Sequence, residues 1–309
     1  MKAYPLILVV GPTAVGKTGL AVELAPCLDA EIVSADSRQV YRYMDIGTAK
    51  PTAEQRARVP HHLLDVVDPS QTLTLAEYQE MAYGALRDIA GRGRVPMLVG
   101  GTGLYVRAVA EGWTIPRVAP NPTLRQVLLA RAEREGPRAL YDELRAADPV
   151  AAERIDPRNV RRVVRALEVY YESGRPFSAQ RQRQAPPYQA LWIGLTMPRA
   201  ALYERADRRI EQMVAAGWAN EVRDLLARGY SVDLPAFSAL GYREMAAFVQ
   251  GQMALEDALA LIRRNTRNFI RHQYAWFRPQ DPQLHWFDVS EPCLGAIQEL
   301  ALSFVGSRE

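Results

Sequence analysis

The chain has 309 residues, 48% apolar and 24% charged, with a formal charge of +3, a balance that excludes whole-chain disorder and allows one sizeable core with an added module. No apolar run approaches the roughly 20 residues that a spanning helix needs, and the opening Met1-Lys2-Ala3-Tyr4-Pro5 does not read as a secretory leader, so a cytoplasmic protein without membrane association is expected. Cys27 and Cys293 have no neighbours at ligand spacing, which argues against a zinc finger or a dithiol redox centre.

Leu6-Ile7-Leu8-Val9-Val10 predicts a strand that runs into a glycine loop, and Lys17 to Leu28 carries Leu20, Leu24 and Leu28 at helical spacing. A second strand is predicted over Glu31 to Ala35, ending at Asp36. A helix over Leu75 to Ile89 precedes a third strand, Val95 to Val99, which ends at Gly100-Gly101-Thr102-Gly103. Strands alternating with helices imply a parallel sheet covered on both faces. After Trp113 come Pro116, Pro120 and Pro122, then arginine-rich helical stretches, until Ala190 to Leu195 restores a strand. Helical periodicity returns over Ala200 to Gly229 and Met253 to Phe277, with a closing strand at His285 to Phe287. The expected architecture is an α/β core (residues 1–116 and 190–309) with a helical insertion at 117–189. The absence of a heptad run favours a monomer.

Gly11-Pro12-Thr13-Ala14-Val15-Gly16-Lys17-Thr18 has the spacing of a phosphate loop and lies between a strand and a helix, as its chemistry demands. Backbone N–H groups and the positive helix end would face a phosphate, Lys17 would neutralise charge farther out, and the Thr18 hydroxyl could ligate Mg²⁺. Of 38 basic residues only Lys2, Lys17 and Lys50 are lysine. Two internal positions spared from arginine point to sites that need a compact ammonium. ATP or GTP is the obvious guess, yet the strand ending at Val99 runs into glycine, where an NTPase places a magnesium-organising aspartate. Asp36, at a strand end beside the loop, could take a proton from a substrate, so the local chemistry leaves a kinase open.

Asp36-Ser37-Arg38-Gln39-Val40-Tyr41 and Met44-Asp45-Ile46-Gly47-Thr48-Ala49-Lys50-Pro51, taken with the phosphate loop, resemble the tRNA dimethylallyltransferases, also called tRNA isopentenyltransferases. The likeness continues through His61-His62-Leu63-Leu64-Asp65, Gly100 to Tyr105, Arg165-Ala166-Leu167-Glu168, Leu240-Gly241-Tyr242-Arg243 and Gln273 to Arg278. The sequence departs from the family at Arg271-His272-Gln273, usually Lys-Arg-Gln, and at Ala275, often Thr.

The resemblance implies a P-loop NTPase-like core used for prenyl transfer, with Mg²⁺ and dimethylallyl diphosphate, and an insertion that grips the anticodon stem-loop of tRNA. Residues 11–18 would hold the diphosphate with Arg209, and Asp36 would accept a proton from N6 of adenosine 37. Asp36, Ser37, Arg38, Gln39 and Thr102 would meet the adenosine; Arg161, Arg162, Arg165, Leu240, Gly241, Tyr242 and Arg243 would contact the RNA. Lys50 is read as a phosphate or RNA contact, with a structural ion pair equally open, and His61 and His62 as structural. The wider set Arg154, Arg158, Arg161, Arg162, Arg165, Arg175, Arg181 and Arg183 has few neighbouring acids, as a backbone-tracking surface would. The rival readings are a small-molecule or nucleotide kinase and a nucleotide-switched RNA-binding protein without turnover.

Overall fold

The computed structural model describes residues 3–180 and 183–306. In chain order, the first half of the larger unit contains β1 (Tyr4–Val10), α1 (Lys17–Leu24), β2 (Ala30–Ser34), α2 (Ala53–Arg58), β3 (His61–His62), α3 (Leu75–Gly91), β4 (Val95–Gly100) and α4 (Gly103–Ala110). A helical unit follows: α5 (Pro122–Glu135), α6 (Pro137–Ala147), α7 (Pro149–Arg154), α8 (Val160–Ser173) and α9 (Phe177–Gln180). The larger unit resumes with β5 (Tyr188–Thr196), α10 (Arg199–Ala215), α11 (Trp218–Ala227), α12 (Tyr242–Val249), α13 (Leu255–Trp276), β6 (Leu284–Asp288) and α14 (Leu294–Gly306). The two compact units are Met1–Ala110 with Pro186–Glu309, and Glu111–Ala185.

The six strands form one parallel sheet in the order β3-β2-β4-β1-β5-β6. Side chains alternate across a strand, so Ile7 and Val9 of β1 enter one core layer while Leu6, Leu8 and Val10 enter the other. Both faces are covered, which is why β1 reads as an unbroken apolar run. A third core joins Trp218, Phe237, Tyr242 and Ile262 to Val40 and Met44, and so seats the segment after β2 on α11–α13. The helical unit closes around Leu128, Leu140, Leu144, Val163 and Leu167. No helix among the described residues is long and apolar enough to cross a membrane.

Several elements differ from their expected spans. The helix expected over Lys17 to Leu28 ends at Leu24; Pro26 has no N–H to donate, and Ala25–Leu28 tightens into a 3₁₀ turn. Ala200 to Gly229 breaks at Gly217, whose φ of 96° ends α10's path and starts α11. Tyr188 and Gln189, placed in the insertion by the sequence, belong to β5: Tyr188 pairs with Tyr4 of β1 and its hydroxyl donates to the Val109 carbonyl at 2.5 Å. The helices α2, α4 and α12, six to eight residues each, and the final α14 are not among the expected elements; the three short ones span barely two turns, too few to show a repeat.

Candidate active site

The loops leaving the carboxyl ends of β1, β2 and β4 meet at one end of the sheet, where parallel α/β folds place their ligands. The first is the phosphate loop. Gly16 caps α1 in the left-handed region with no side-chain hydrogen bond, so no side chain competes for the helix-start amides. Lys17 folds back on its own loop, its Nζ donating to the carbonyls of Pro12 at 2.7 Å and Gly11 at 3.1 Å. Loss of water around this ammonium lowers its pKa to about 7; Asp36 opposes the shift and Arg209 adds to it.

Asp36 follows β2. Its carboxylate accepts the Arg38 N–H at 2.8 Å and the Gln39 N–H at 3.4 Å, a turn that fixes the side chain at the strand end. The third loop carries Thr102, whose N–H donates to Ala35 and whose Oγ1 accepts the Ser37 N–H at 3.0 Å. Arg209 reaches in from α10, with Nη1 3.4 Å from Thr13 Oγ1. Desolvation lowers its pKa, Asp36 counteracts this, and Arg205 adds to the lowering.

Asp36, Ser37, Arg38, Thr13, Thr102 and Arg209 line a cavity of about 380 Å³, to which Ile210, Met213, Trp218, Leu240, Ile262 and Phe269 supply apolar wall. Arg38 and Arg209 beside a carboxylate and an apolar wall suit the departure of a phosphate group from a substrate with an apolar portion.

Other sequence-derived residues lie elsewhere. Gln39 does not line the cavity: its amide donates to the Thr48 and Ala49 carbonyls at 3.2 and 3.0 Å and accepts from Ser34 Oγ at 3.3 Å, so it holds a loop. Tyr242, expected to touch RNA, is fully buried, with its hydroxyl on Glu221 at 2.7 Å; Gly241 is buried against Trp218. Arg243 is exposed on α12 and outside the cavity wall. Lys50 is no phosphate contact: its buried ammonium donates to Asp45 Oδ1 at 2.6 Å, Asp65 Oδ1 at 2.5 Å and the Tyr41 carbonyl at 2.6 Å. His62 Nε2 lies 2.7 Å from the Glu31 carboxylate and His61 Nδ1 2.7 Å from the Val59 carbonyl, a structural arrangement in β3.

The arginine set is better neutralised than the sequence suggests. Arg158 pairs with Asp156 at 2.7 Å and Arg183 with Glu111 at 2.6 Å. Arg165 pairs with the buried Glu168 at 2.5 Å and donates to the Val118 carbonyl, so its guanidinium is held by the helical unit. Arg154, Arg161, Arg162 and Arg175 are exposed, and Arg181 lies outside the described residues.

Sequence reasoning missed Gln273. Buried in α13, it accepts the Thr13 N–H at 2.7 Å and donates to the Gly101 carbonyl at 3.0 Å, bridging the phosphate loop to the loop after β4. A Cβ on Gly101 would lie 2.3 Å from Gln273 Nε2, so a larger residue would have to push that amide out of the bridge. The place of Gln273 at the head of the family-like run Gln273 to Arg278, and its line with Ile262, Thr266 and Ile270 on one helix face, are the signals that could have found it. His272, at the family departure, lines the cavity.

Sheet, loop and cavity together define a P-loop α/β enzyme of group transfer. A family model described as IPP transferase matches residues 39–280, and one described as isopentenyl transferase matches residues 4–65. The chain belongs to the tRNA dimethylallyltransferase family. It is 56% identical over 274 residues to the tRNA dimethylallyltransferase of Roseiflexus castenholzii, covering 89% of this chain and 90% of that one. Identity to the Thermomicrobium roseum enzyme of the same name is 52% over 291 residues, 94% of this chain and 88% of the other. Among solved structures, the full-length tRNA isopentenylpyrophosphate transferase of Bacillus halodurans superposes with a TM-score of 0.73 at 41% identity, over 98% of this chain and 97% of that one.

Proposed function

We propose that this chain moves the dimethylallyl group of dimethylallyl diphosphate onto N6 of adenosine 37, beside the anticodon of tRNA, and releases diphosphate, working as a cytoplasmic monomer. The observation that carries the reading is the sharing of one cavity by the Asp36 carboxylate, Thr13 of the phosphate loop and Arg209. In the reaction the allylic C–O bond breaks, the new C–N6 bond forms, the N6 proton passes to Asp36, and the electron pair of the broken bond leaves on diphosphate. Loop amides, Lys17 and Arg209 stabilise the charge that gathers on the leaving group. Asp36 raises the nucleophilicity of an amine whose lone pair is delocalised into the purine ring. Adenosine 37 has to leave its stack to reach the cavity, at a cost of about a few kcal/mol. Apolar wall residues such as Ile210, Met213 and Ile262 exclude water from the allylic carbon.

The residues fit Mg²⁺ as the metal. Among the described residues no group of three His, Cys, Asp or Glu gathers as a metal site, and Thr18, partly exposed at the start of α1, offers one hard oxygen. That suits an ion held mainly by substrate phosphates and water. Bound there, Mg²⁺ would neutralise charge on the diphosphate.

Incubating the purified protein with Mg²⁺, dimethylallyl diphosphate and unmodified tRNA, then digesting to nucleosides for mass spectrometry, tests the proposal. One prenyl group on N6 of adenosine 37, lost on chelation and restored by Mg²⁺, is the expected result. No prenylated nucleoside, with ATP consumed on small acceptors, would replace it with a kinase.

A further inference from the structure

The segment that follows Asp36 in the sequence motif is held by a residue from another part of the chain. Glu221, on α11, accepts four hydrogen bonds on one carboxylate. Oε2 takes the N–H groups of Asp45 at 2.7 Å and Ile46 at 2.6 Å, and Oε1 takes the N–H of Gly47 at 3.2 Å and the Tyr242 hydroxyl at 2.7 Å. None of the four donors is a formal cation. Three successive backbone amides converging on one carboxylate fix the path of residues 45–47 more tightly than an ion pair would, since amide direction is set by φ and ψ. The same helix presses on the loop three residues earlier. A Cβ on Gly47 would lie 2.1 Å from Trp218 Nε1 and 2.6 Å from Tyr242 Cε2, so the backbone there rests directly on both rings.

The clamped loop leads back to the cavity. Gly47 and Thr48 line it. The next carbonyls, Thr48 and Ala49, hold the side-chain amide of Gln39, whose backbone N–H bonds the Asp36 carboxylate. The chain of contacts therefore runs from Glu221 through residues 45–49 and Gln39 to Asp36. Thr13, Lys17 and Arg209 make none of these hydrogen bonds.

We propose that Glu221 is a positioning residue for the acceptor nucleoside, holding residues 45–48, of which Gly47 and Thr48 are cavity wall, and the turn of Asp36 in the geometry that receives the adenosine. This rests on the transfer reaction proposed above. Donor binding is assigned to Thr13, Lys17 and Arg209, which lie outside this chain of hydrogen bonds.

The test compares wild type with Glu221→Gln and Tyr242→Phe in the full-length protein. Glutamine keeps one acceptor oxygen and places an NH₂ against donors, so at least one amide bond is lost; phenylalanine removes a single donor. In Glu221→Gln the KM for tRNA should rise about tenfold, while the KM for dimethylallyl diphosphate and the Kd of inorganic pyrophosphate by calorimetry stay within about twofold. Tyr242→Phe should shift the tRNA KM in the same direction by less. A role confined to stability would move both substrates alike. Hydrogen exchange at the amides of Asp45, Ile46 and Gly47 should quicken about tenfold in Glu221→Gln. Unchanged exchange overturns the clamp. Faster exchange with an unchanged tRNA KM, or with both KM values raised together, overturns the positioning role. A wild-type protein that makes no prenylated adenosine overturns the transfer reading instead, while exchange still decides the clamp.

Discussion

Lysine and arginine are not interchangeable at positions 17 and 50, and the reasons differ. Lys17 sits under the phosphate loop with its pKa lowered to about 7, which a guanidinium could not match. An anionic ligand raises that pKa, so affinity is full below pH 7 and falls as pH rises toward the ligand-bound value. Pyrophosphate binding, corrected for the ligand's own titration, should weaken by up to about tenfold per pH unit above 7. Lys17→Met should bind weakly and lose that slope; a slope retained in the variant would assign it to another group. Lys50 serves the fold: its ammonium fills a site bounded by Asp45, Asp65 and the Tyr41 carbonyl. Burial tends to raise the Asp65 pKa, but Lys50 and Arg56 outweigh it and hold the carboxyl below its ordinary value. Lys50→Met should lower stability by about 3 kcal/mol in urea melts. Asp36→Ala should lower kcat about 10²–10⁴-fold and leave pyrophosphate binding intact. Lys17 and Asp36 could be singled out as candidates in the sequence because each stands in a motif with its own chemistry. The role of Lys50 could not be read there, because its partners Asp45 and Asp65 converge on it only in the fold.

At the level of elements, α8 shows how a basic helix divides its arginines between structure and surface. Glu168 on its buried face accepts from Arg125 at 2.8 and 2.9 Å, from Arg165 at 2.5 Å and from the Asn121 N–H at 2.8 Å. Burial favours the neutral acid, but Arg125, Arg165 and the Asn121 amide outweigh it and keep the pKa low. Arg161 and Arg162, one turn earlier, face outward. Arg161→Ala with Arg162→Ala should reduce the slope of log K against log salt for tRNA by about 1–2, the signature of lost phosphate contacts. Arg165→Ala should instead lower the thermal stability of the helical unit with little change in slope. A salt slope that moves with Arg165 alone would reverse these assignments. Helical periodicity reveals which residues lie on one face; it does not say which arginine of a run finds a buried acid 43 residues before that acid in the chain, as Arg125 does.

For the whole molecule, acid acts on a buried carboxylate of β2, the strand next to the sheet edge β3. Glu31, 2% exposed on β2, takes Arg92 at 2.5 and 2.8 Å, Arg94 at 2.9 Å and His62 at 2.7 Å. Arg92 is the main cause of a pKa lowered to about 2; burial opposes it, and His62 and Arg94 add to it. A depressed carboxylate contributes stability that is present above its unfolded value of about 4.5 and is lost as pH falls through about 2. Over that window the contribution amounts to about 3 kcal/mol as an upper figure. Urea midpoints from pH 6 to 2.5 should fall in wild type and fall less steeply in Glu31→Gln, which is less stable at pH 6. Parallel curves would place the acid sensitivity elsewhere.

The sequence alone determined the parallel α/β core, the phosphate loop and the catalytic candidate at Asp36. Each rests on local chemistry: an apolar run buried on both faces, glycines spaced for a loop, a carboxylate at a strand end. The family followed from motifs spread over the chain. Only the tertiary structure decided that Gln39, Lys50, Arg165 and Tyr242 hold the protein together, and that Gln273 and Glu221 position the loops around the cavity. These roles depend on partners brought from distant parts of the chain, 172 residues apart for Gln273 and Gly101 and 176 for Glu221 and Asp45. A hydrogen-bond donor or acceptor in a sequence has no assigned partner until packing supplies one, and packing is a property of the folded chain.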